Sequence, residues 1–261
     1  MSIVAIDRSS VHRICTGQVV LDLATAVKEL VENGIDAEAT KVDVQLKGYG
    51  VDSVQVSDNG TGIDPSNYKS LALRHHTSKL TNFTDLESME TFGFRGEALS
   101  ALAALGVLSV TTRQASQDVG VTLEFGPGGE LLKESPAARE VGTTVTVTKI
   151  FQSLPVRHQE FKRNIKKEFS HLHDVIAGFA LVSLGVRLTV TNTLAKGGRQ
   201  NVLRTSGNGS LSDCISSVYG IRQLNSLEPI QARSEGTNYA RADPYARADP
   251  YARWCAVRAS V

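Results

Sequence analysis

The sequence predicts an α+β fold with a mixed, mostly antiparallel sheet. Apolar residues recur at helical spacing in residues 22–33, which predicts an amphipathic helix. Apolar and polar residues alternate in KVDVQLK and SVQVSD, which flank GYGVD, and this pattern predicts a β-hairpin. Strand-like VLSVTTR, VTLEF and TTVTVTKI then follow a helix-like GEALSALAALG, with GPGG as a turn. Short connections between successive strands favour antiparallel pairing.

Capping residues indicate where the predicted first helix begins and ends, and the remaining elements follow along the chain. Asp22 suits a helix N-cap, and Gly34, just past Asn33, suits a left-handed C-terminal cap. A single long helix is predicted over 160–185, followed by a strand in VRLTVTN. The first domain is expected to close near residue 200, before a short helix in LSDCISSVYG.

A polar segment over residues 67–91 has little periodicity. Long irregular segments in compact domains are usually functional lids or disordered, and we favour a lid. The segment contains His75 and His76, to which we assign no catalytic role despite the suitability of histidine for acid–base chemistry.

Composition limits the possible partners. Lys plus Arg is 28 and Asp plus Glu is 27, so the net charge of +1 gives no global field for nucleic acid, and any DNA contact must come from a local patch. The three cysteines are widely spaced and lack a CxxC pair, which argues against disulfides and zinc. The sequence shows neither a signal peptide nor an apolar run long enough for a membrane, so we expect a soluble intracellular protein.

Four motifs occur in a characteristic order: ELVENGIDA, SDNGTGID, HHTSK…GFRGEAL and GTTVTV. Together they resemble the ATP-binding fold shared by DNA gyrase B, Hsp90, histidine kinases and MutL, known as the GHKL fold. TAVKELVEN, TFGFRGEALSAL and LPVRHQEFKRN resemble the mismatch-repair ATPase MutL. The sequences of several motifs are similar to those of the eukaryotic post-meiotic-segregation type. The resemblance covers about residues 5–230 and implies a two-layer α/β sandwich.

The predicted first helix carries two candidate site residues one turn apart. A carboxylate at Glu29, beside apolar neighbours, can orient and deprotonate a water in line with a γ-phosphate, and the resemblance makes Glu29 the general base. The amide oxygen of Asn33 is a hard ligand suited to Mg²⁺, and the resemblance implies magnesium ligation there. A solvated helix carboxylate is the alternative for Glu29 taken alone. We expect Asp36 to be structural, holding the loop after the helix.

Asp58 follows a predicted strand, and its carboxylate can accept the exocyclic amine of adenine while Gly60 and Gly62 let the base approach the backbone. Taken alone, Asp-Asn-Gly is more often a hairpin turn. The resemblance assigns the adenine contact to Asp58 and a supporting contact, through a hydroxyl and a bridging water, to Thr143.

Two glycines, Gly93 and Gly96, precede a predicted helix whose first N–H groups can bind the β- and γ-phosphates. Lys79 can add a positive charge there. The resemblance extends the nucleotide-binding set to Thr77, Ser78, Phe94, Arg95, Glu97, Ala98 and Leu99. For Arg95 and Glu97, a structural ion pair is an equal alternative to phosphate contact.

A basic run lies beside LPVRH and consists of Lys162, Arg163, Lys166 and Lys167. A solvated helix face is one interpretation. The alternative is contact with the phosphate backbone of duplex DNA, which would be salt-sensitive.

The sequence predicts three regions: an ATP-binding domain over 1–200, the truncated start of a second α/β domain over 201–230, and a low-complexity tail over 231–261 with the repeat YARADP. The lysine that the second domain of the family contributes to the γ-phosphate is not identifiable.

The resemblance implies slow hydrolysis of Mg-ATP coupled to lid ordering and N-terminal dimerisation. The implied partners are a MutL-type paralogue, a MutS-type mismatch sensor and double-stranded DNA, in the nucleus. A non-hydrolysing ATP-gated interaction or DNA-binding module, or an inactive truncated paralogue, is the alternative.

Overall fold

The structure is a computed structural model that describes residues 19–77, 91–93, 96–194 and 197–228. The helices are α1 Leu23–Asp36, α2 Ala98–Leu105, α3 Pro155–Arg163, α4 Ile165–Val182, α5 Leu211–Tyr219 and α6 Ile221–Asn225. The strands are β1 Lys41–Lys47, β2 Ser53–Asp58, β3 Val107–Arg113, β4 Gly120–Phe125, β5 Leu131–Ala137, β6 Gly142–Thr148, β7 Arg187–Thr193 and β8 Arg199–Arg204. None of the described helices combines the length and apolar character that a membrane crossing needs.

The described strands form an eight-stranded sheet in the order β5-β4-β3-β6-β2-β1-β7-β8. Among the described strands, β1 and β7 pair in parallel and every other neighbouring pair is antiparallel, which confirms the predicted fold class. Alternate residues of β1, such as Val42, Val44 and Leu46, are buried, so one face of the sheet carries the core. Helices α1, α2, α4 and α5 pack on the sheet and on one another.

The first helix, α1, begins as predicted and ends later. The Asp22 side chain accepts a hydrogen bond from the Thr25 backbone N–H at 2.7 Å, which confirms the N-cap. Gly34 is not the C-terminal cap, because the helix continues through it to Asp36 and ends at Ala37. A Cβ at Gly34 would lie 3.2 Å from the Cβ of Asp58, so this glycine serves close packing of α1 on β2 rather than helix termination.

The long helix predicted over 160–185 is two helices. The chain leaves helical geometry at Asn164, whose φ of −100° and ψ of 16° separate α3 from α4. Periodicity did not reveal the break, because the apolar stripe of α4 resumes directly after it.

Two edge strands, β5 and β8, were not predicted. Each is mostly exposed and rich in polar residues, so neither shows clean alternation. The boundary predicted at residue 200 falls inside β8, which pairs with β7, so the sheet runs on past that residue. The start of a second domain stays a prediction.

The predicted lid over 67–91 lies partly outside the described residues, as does the tail beyond residue 228. At the start of the segment, Tyr68 and Ala72 are buried in the core, so this part is anchored to the domain.

Candidate functional site

The carboxylate of Asp58, at the end of β2, is hydrogen-bonded to the backbone through one of its two oxygens. Its Oδ1 accepts hydrogen bonds from the backbone N–H groups of Gly60 at 2.9 Å and Thr143 at 3.1 Å. Among the described residues none donates to Oδ2, so that oxygen remains available as an acceptor. Burial raises the pKa of Asp58, while the two N–H donors and the positive charge of Arg139 act in the opposite direction.

Two buried threonine hydroxyls support this end of the sheet. The Oγ1 atoms of Thr143 and Thr112 lie 3.1 Å apart, and Thr112 Oγ1 also donates to the Gly142 carbonyl at 3.1 Å and accepts from the Ile63 N–H at 3.0 Å. Thr112 was not among the residues predicted for the site. The alternation in VLSVTTR could have indicated it, because that pattern puts Thr112 on the buried face with Leu108.

The glycines after Asp58 are constrained by the protein's own backbone. Gly62 has a φ of +76°, and a Cβ there would lie 2.3 Å from the carbonyl oxygen of Arg113. A Cβ at Gly60 would lie 2.5 Å from the carbonyl oxygen of Ala37. Their proposed contact with adenine stays a prediction, but a packing requirement alone explains why both residues are glycine.

Glu29, on α1, belongs to a three-residue charge cluster with Lys28 and Glu32. The Lys28 ammonium lies 3.3 Å from Glu29 Oε1 and 2.8 Å from Glu32 Oε1. The Glu29 side chain is 27% exposed and that of Glu32 only 6%. Partial burial acts to lower the pKa of Lys28, but the hydrogen bonds and negative charges of Glu32 and Glu29 together outweigh it, so the pKa is raised. Asn33 is partly buried on the next turn.

Asp36 holds the loop that precedes α2. Its two carboxylate oxygens accept the backbone N–H groups of Phe92 at 2.9 Å and Gly93 at 3.0 Å. The Phe92 ring also packs edge-on against Phe179 of α4, with the ring centroids 5.8 Å apart. The end of α1 and the side of α4 therefore position the predicted phosphate loop.

The rest of that loop approaches the segment before residue 78. Gly96 has a φ of +59°, and a Cβ there would lie 2.5 Å from the carbonyl oxygen of His76. Glu97 precedes α2, and its Oε1 lies 3.4 Å from His75 Nδ1. Three further predicted ligands lie within the described residues: Ala98 and Leu99 in the first turn of α2, and Thr77 next to His76. Four predicted ligands lie outside the described residues: Ser78, Lys79, Phe94 and Arg95.

The basic run spans the break between α3 and α4. Its four side chains are exposed: Lys162, Arg163, Lys166 and Lys167. Both interpretations made from the sequence require exposure, so the choice between a solvated face and a DNA contact is still open. Within the described residues, no group of three His, Cys, Asp or Glu side chains has an arrangement that could hold a metal ion.

Comparison with known proteins identifies the domain. Residues 21–126 match the family of histidine kinase-, DNA gyrase B- and HSP90-like ATPases. Over 224 residues the chain is 52% identical to the human mismatch repair endonuclease PMS2, an alignment that covers 86% of this chain and 26% of that protein. The chain contains a MutL-type ATPase domain. This confirms the family predicted from the sequence.

Other relatives agree with this assignment of a MutL-type domain. The DNA mismatch repair protein PMS1 of Arabidopsis thaliana is 53% identical over 225 residues, covering 86% of this chain and 24% of that protein. The chain thus spans about a quarter of the length of these relatives. A crystal structure of the N-terminal domain of a DNA repair protein matches with a TM-score of 0.78 and 43% identity, covering 87% of this chain and 66% of that one.

A second solved structure, the Aquifex aeolicus MutL ATPase domain in complex with ADP, matches with a TM-score of 0.57 and 26% identity. That alignment covers 75% of this chain and 68% of the other.

Proposed function

We propose that this MutL-type domain binds Mg-ATP between α1 and the ends of β2 and β6. The observation that carries the proposal is the carboxylate of Asp58. Two backbone N–H groups hold its Oδ1, and none of the described residues donates to its Oδ2. A fixed carboxylate with one open oxygen is an acceptor for the exocyclic amine of adenine, and the Thr143 hydroxyl beside it is a second polar group for the base.

The hydrolysis step is assigned to Glu29. Its carboxylate accepts a proton from a water molecule as the water oxygen attacks the γ-phosphorus. The bond from that phosphorus to the bridging oxygen breaks, and ADP and inorganic phosphate leave. The Lys28 ammonium lies closer to the buried Glu32 than to Glu29. The negative charge of Glu29 is therefore only partly neutralised by Lys28, and its carboxylate can still accept a proton.

Asn33 is the proposed protein ligand of Mg²⁺. Its amide oxygen, one turn beyond Glu29, fits a hard cation that takes its other ligands from phosphate and water. When bound, the metal ion offsets the negative charge of the triphosphate. The loop before α2 is the proposed site of the β- and γ-phosphates, which the N–H groups of Gly96 and the first turn of α2 would bind, because the Gly93 N–H already donates to Asp36.

In the cell, we assign the domain to DNA mismatch repair in the nucleus. Nucleotide binding orders the lid and closes paired N-terminal domains, and slow hydrolysis resets them. The partners that fit this cycle are a MutL-type paralogue, a MutS-type mismatch sensor and double-stranded DNA. The names of the similar proteins, which include mismatch repair proteins of human and plant origin, support this assignment.

A pair of variants tests the proposal. Glu29→Ala is expected to bind ATP as the parent chain does but to lose turnover, whereas Asp58→Asn is expected to lose binding itself. Isothermal titration with ATP and a phosphate-release assay measure the two properties separately. Turnover by Glu29→Ala at the parental rate contradicts the general-base role. Binding without turnover in the parent supports a nucleotide-gated module that does not hydrolyse ATP by itself.

A further inference from the structure

Arg139 lies between β5 and β6 and bonds to the backbone on both sides of the candidate adenine site. Its Nε donates to the Gly142 carbonyl at 3.1 Å, and its Nη2 donates to the Asp58 carbonyl at 2.8 Å. Its Nη1 also donates to the hydroxyls of Ser57, at 3.5 Å, and Thr144. Arg139 was not among the residues predicted for the site.

These bonds occur where the pairing of β2 with β6 stops. The last paired residues are Ser57 and Thr144, and the next residues along, Asp58 and Thr143, are those predicted to contact adenine. At this point the guanidinium links the two strands in place of a further backbone hydrogen bond between them. A guanidinium suits this task because its donors lie in one rigid plane.

Gly142 makes the close approach possible. Its φ is +127°, and a Cβ there would lie 2.3 Å from the Asp58 carbonyl oxygen that Arg139 binds. The Thr143 N–H then reaches the Asp58 carboxylate at 3.1 Å. Arg139, Gly142 and the Asp58 carbonyl together determine how far apart the two predicted adenine contacts lie.

We infer that Arg139 is a positioning residue for adenine recognition, holding Asp58 and Thr143 at the spacing that the base requires. The inference rests on the proposed nucleotide function. Arg139 does not touch the nucleotide in this account and acts through its bonds to the two strand ends. Its loss should therefore affect selection of the base more than binding of the phosphates.

The charge of Arg139 gives an independent signature. Burial raises the pKa of Asp58, and Arg139 is the charged side chain among the described residues whose field lowers it. Removing this charge raises the pKa of Asp58, so that Asp58 becomes protonated at a higher pH. ATP affinity should then be lost at a higher pH on acidification than in the parent chain.

The test compares Arg139→Gln and Arg139→Lys with Arg204→Gln, an exposed arginine of β8 that serves as the matched control. Titrations with ATP, GTP and inorganic tripolyphosphate measure base selection and phosphate binding separately. We expect Arg139→Gln to lose ATP affinity by roughly tenfold, the size of effect that follows from losing charge-assisted bonds, with tripolyphosphate affinity unchanged. Arg139→Lys should restore the pH dependence but not the preference for ATP over GTP.

The outcomes separate the inference from the proposed function. A parent chain that fails to prefer ATP over GTP overturns the proposed function and the inference with it. A parent that prefers ATP, with an unchanged preference and pH dependence in Arg139→Gln, overturns the inference alone. Equal losses for ATP, GTP and tripolyphosphate, with a lower melting temperature, indicate a purely structural role and also overturn it. If Arg139→Gln fails to fold, the preference measured in Arg139→Lys decides.

Discussion

Asp58 combines burial with two backbone N–H donors, and these have opposite effects on its pKa. Burial is the larger effect, so its pKa is raised above the usual aspartate range. The ionised form is the one that accepts hydrogen bonds from Gly60 and Thr143 and, in our proposal, from adenine. In this proposal, protonation of this single carboxyl group couples nucleotide binding to pH.

We expect the affinity for ATP to fall as pH decreases through the raised pKa of Asp58. The affinity is complete above that pKa, where the carboxylate is ionised, and lost below it. Titrations between about pH 4 and 8 measure the effect, and the range lies above the usual titration of aspartate, near 3.9. Inorganic tripolyphosphate is the control because it reports titration of the phosphates alone. Identical pH profiles for ATP and tripolyphosphate would contradict the assignment.

Glu32 is the partner that keeps Lys28 partly away from Glu29. Glu32→Gln removes the buried charge, so Lys28 is expected to pair more closely with Glu29 and to occupy the carboxylate that would otherwise accept the proton from water. We expect turnover to fall by roughly two- to tenfold with unchanged ATP affinity. Lys41→Met, which removes an exposed lysine paired with Asp43, is the control. Unchanged turnover in Glu32→Gln would argue against this role.

At the scale of elements, α1 is fastened at both ends. At its start, Asp22 caps the helix and lies 3.2 Å from His171 Nδ1, while Glu168 Oε2 accepts the Leu23 N–H at 3.3 Å. At its end, Asp36 binds the loop before α2. The helix that carries Glu29 is thus positioned by α4 and by the predicted phosphate loop together.

Removing the cap tests the first of these attachments. Asp22→Ala is expected to lower the free energy of unfolding by about 0.5–2 kcal/mol, because the Thr25 N–H loses its acceptor. Asp22→Asn keeps a capping side chain and should retain most of the stability. Urea denaturation followed by circular dichroism measures both variants. Equal stability of Asp22→Ala and the parent would show that the cap contributes nothing.

Two glycines should respond in opposite directions to alanine. Gly62→Ala puts a Cβ against the Arg113 carbonyl at a positive φ, so we expect lower stability and weaker ATP binding. Gly178→Ala, inside α4 about one turn before its end and with open space around it, is the matched control and should gain up to about 1 kcal/mol. Thermal unfolding measures both. A stabilising Gly62→Ala would contradict the described turn.

At the scale of the whole molecule, a net charge of +1 leaves DNA binding to local patches. The basic run at the junction of α3 and α4 is such a patch. Because its side chains are exposed, any contact with DNA phosphates would be screened strongly by salt.

Neutralising part of the run tests DNA contact. If Lys166 and Lys167 contact phosphates, Gln at both positions should reduce the slope of log affinity against log salt by about 0.9 for each lost contact. Lys133→Gln on the exposed edge strand is the control and should leave the slope unchanged. Binding of duplex DNA measured by fluorescence anisotropy at several salt concentrations gives the slopes. An unaltered slope in the double variant would favour the solvated helix face.

The sequence by itself determined the fold class, the family and most elements, because these depend on local periodicity and on motif order. The strands with clean alternation, such as β1 and β6, match their predictions. The polar edge strands β5 and β8 do not, because an exposed edge needs no apolar alternation. The break at Asn164 was also missed, since periodicity continues across it.

Only the tertiary structure decided which side chains share the site. Gly34 looked like a helix cap and proved to be a packing position against Asp58. Asp36 holds a loop 56 residues away in sequence, and Arg139 bonds to Asp58 across 81 residues. No local pattern encodes such partners, because a carboxylate or guanidinium takes whichever donors and acceptors the folded chain brings to it.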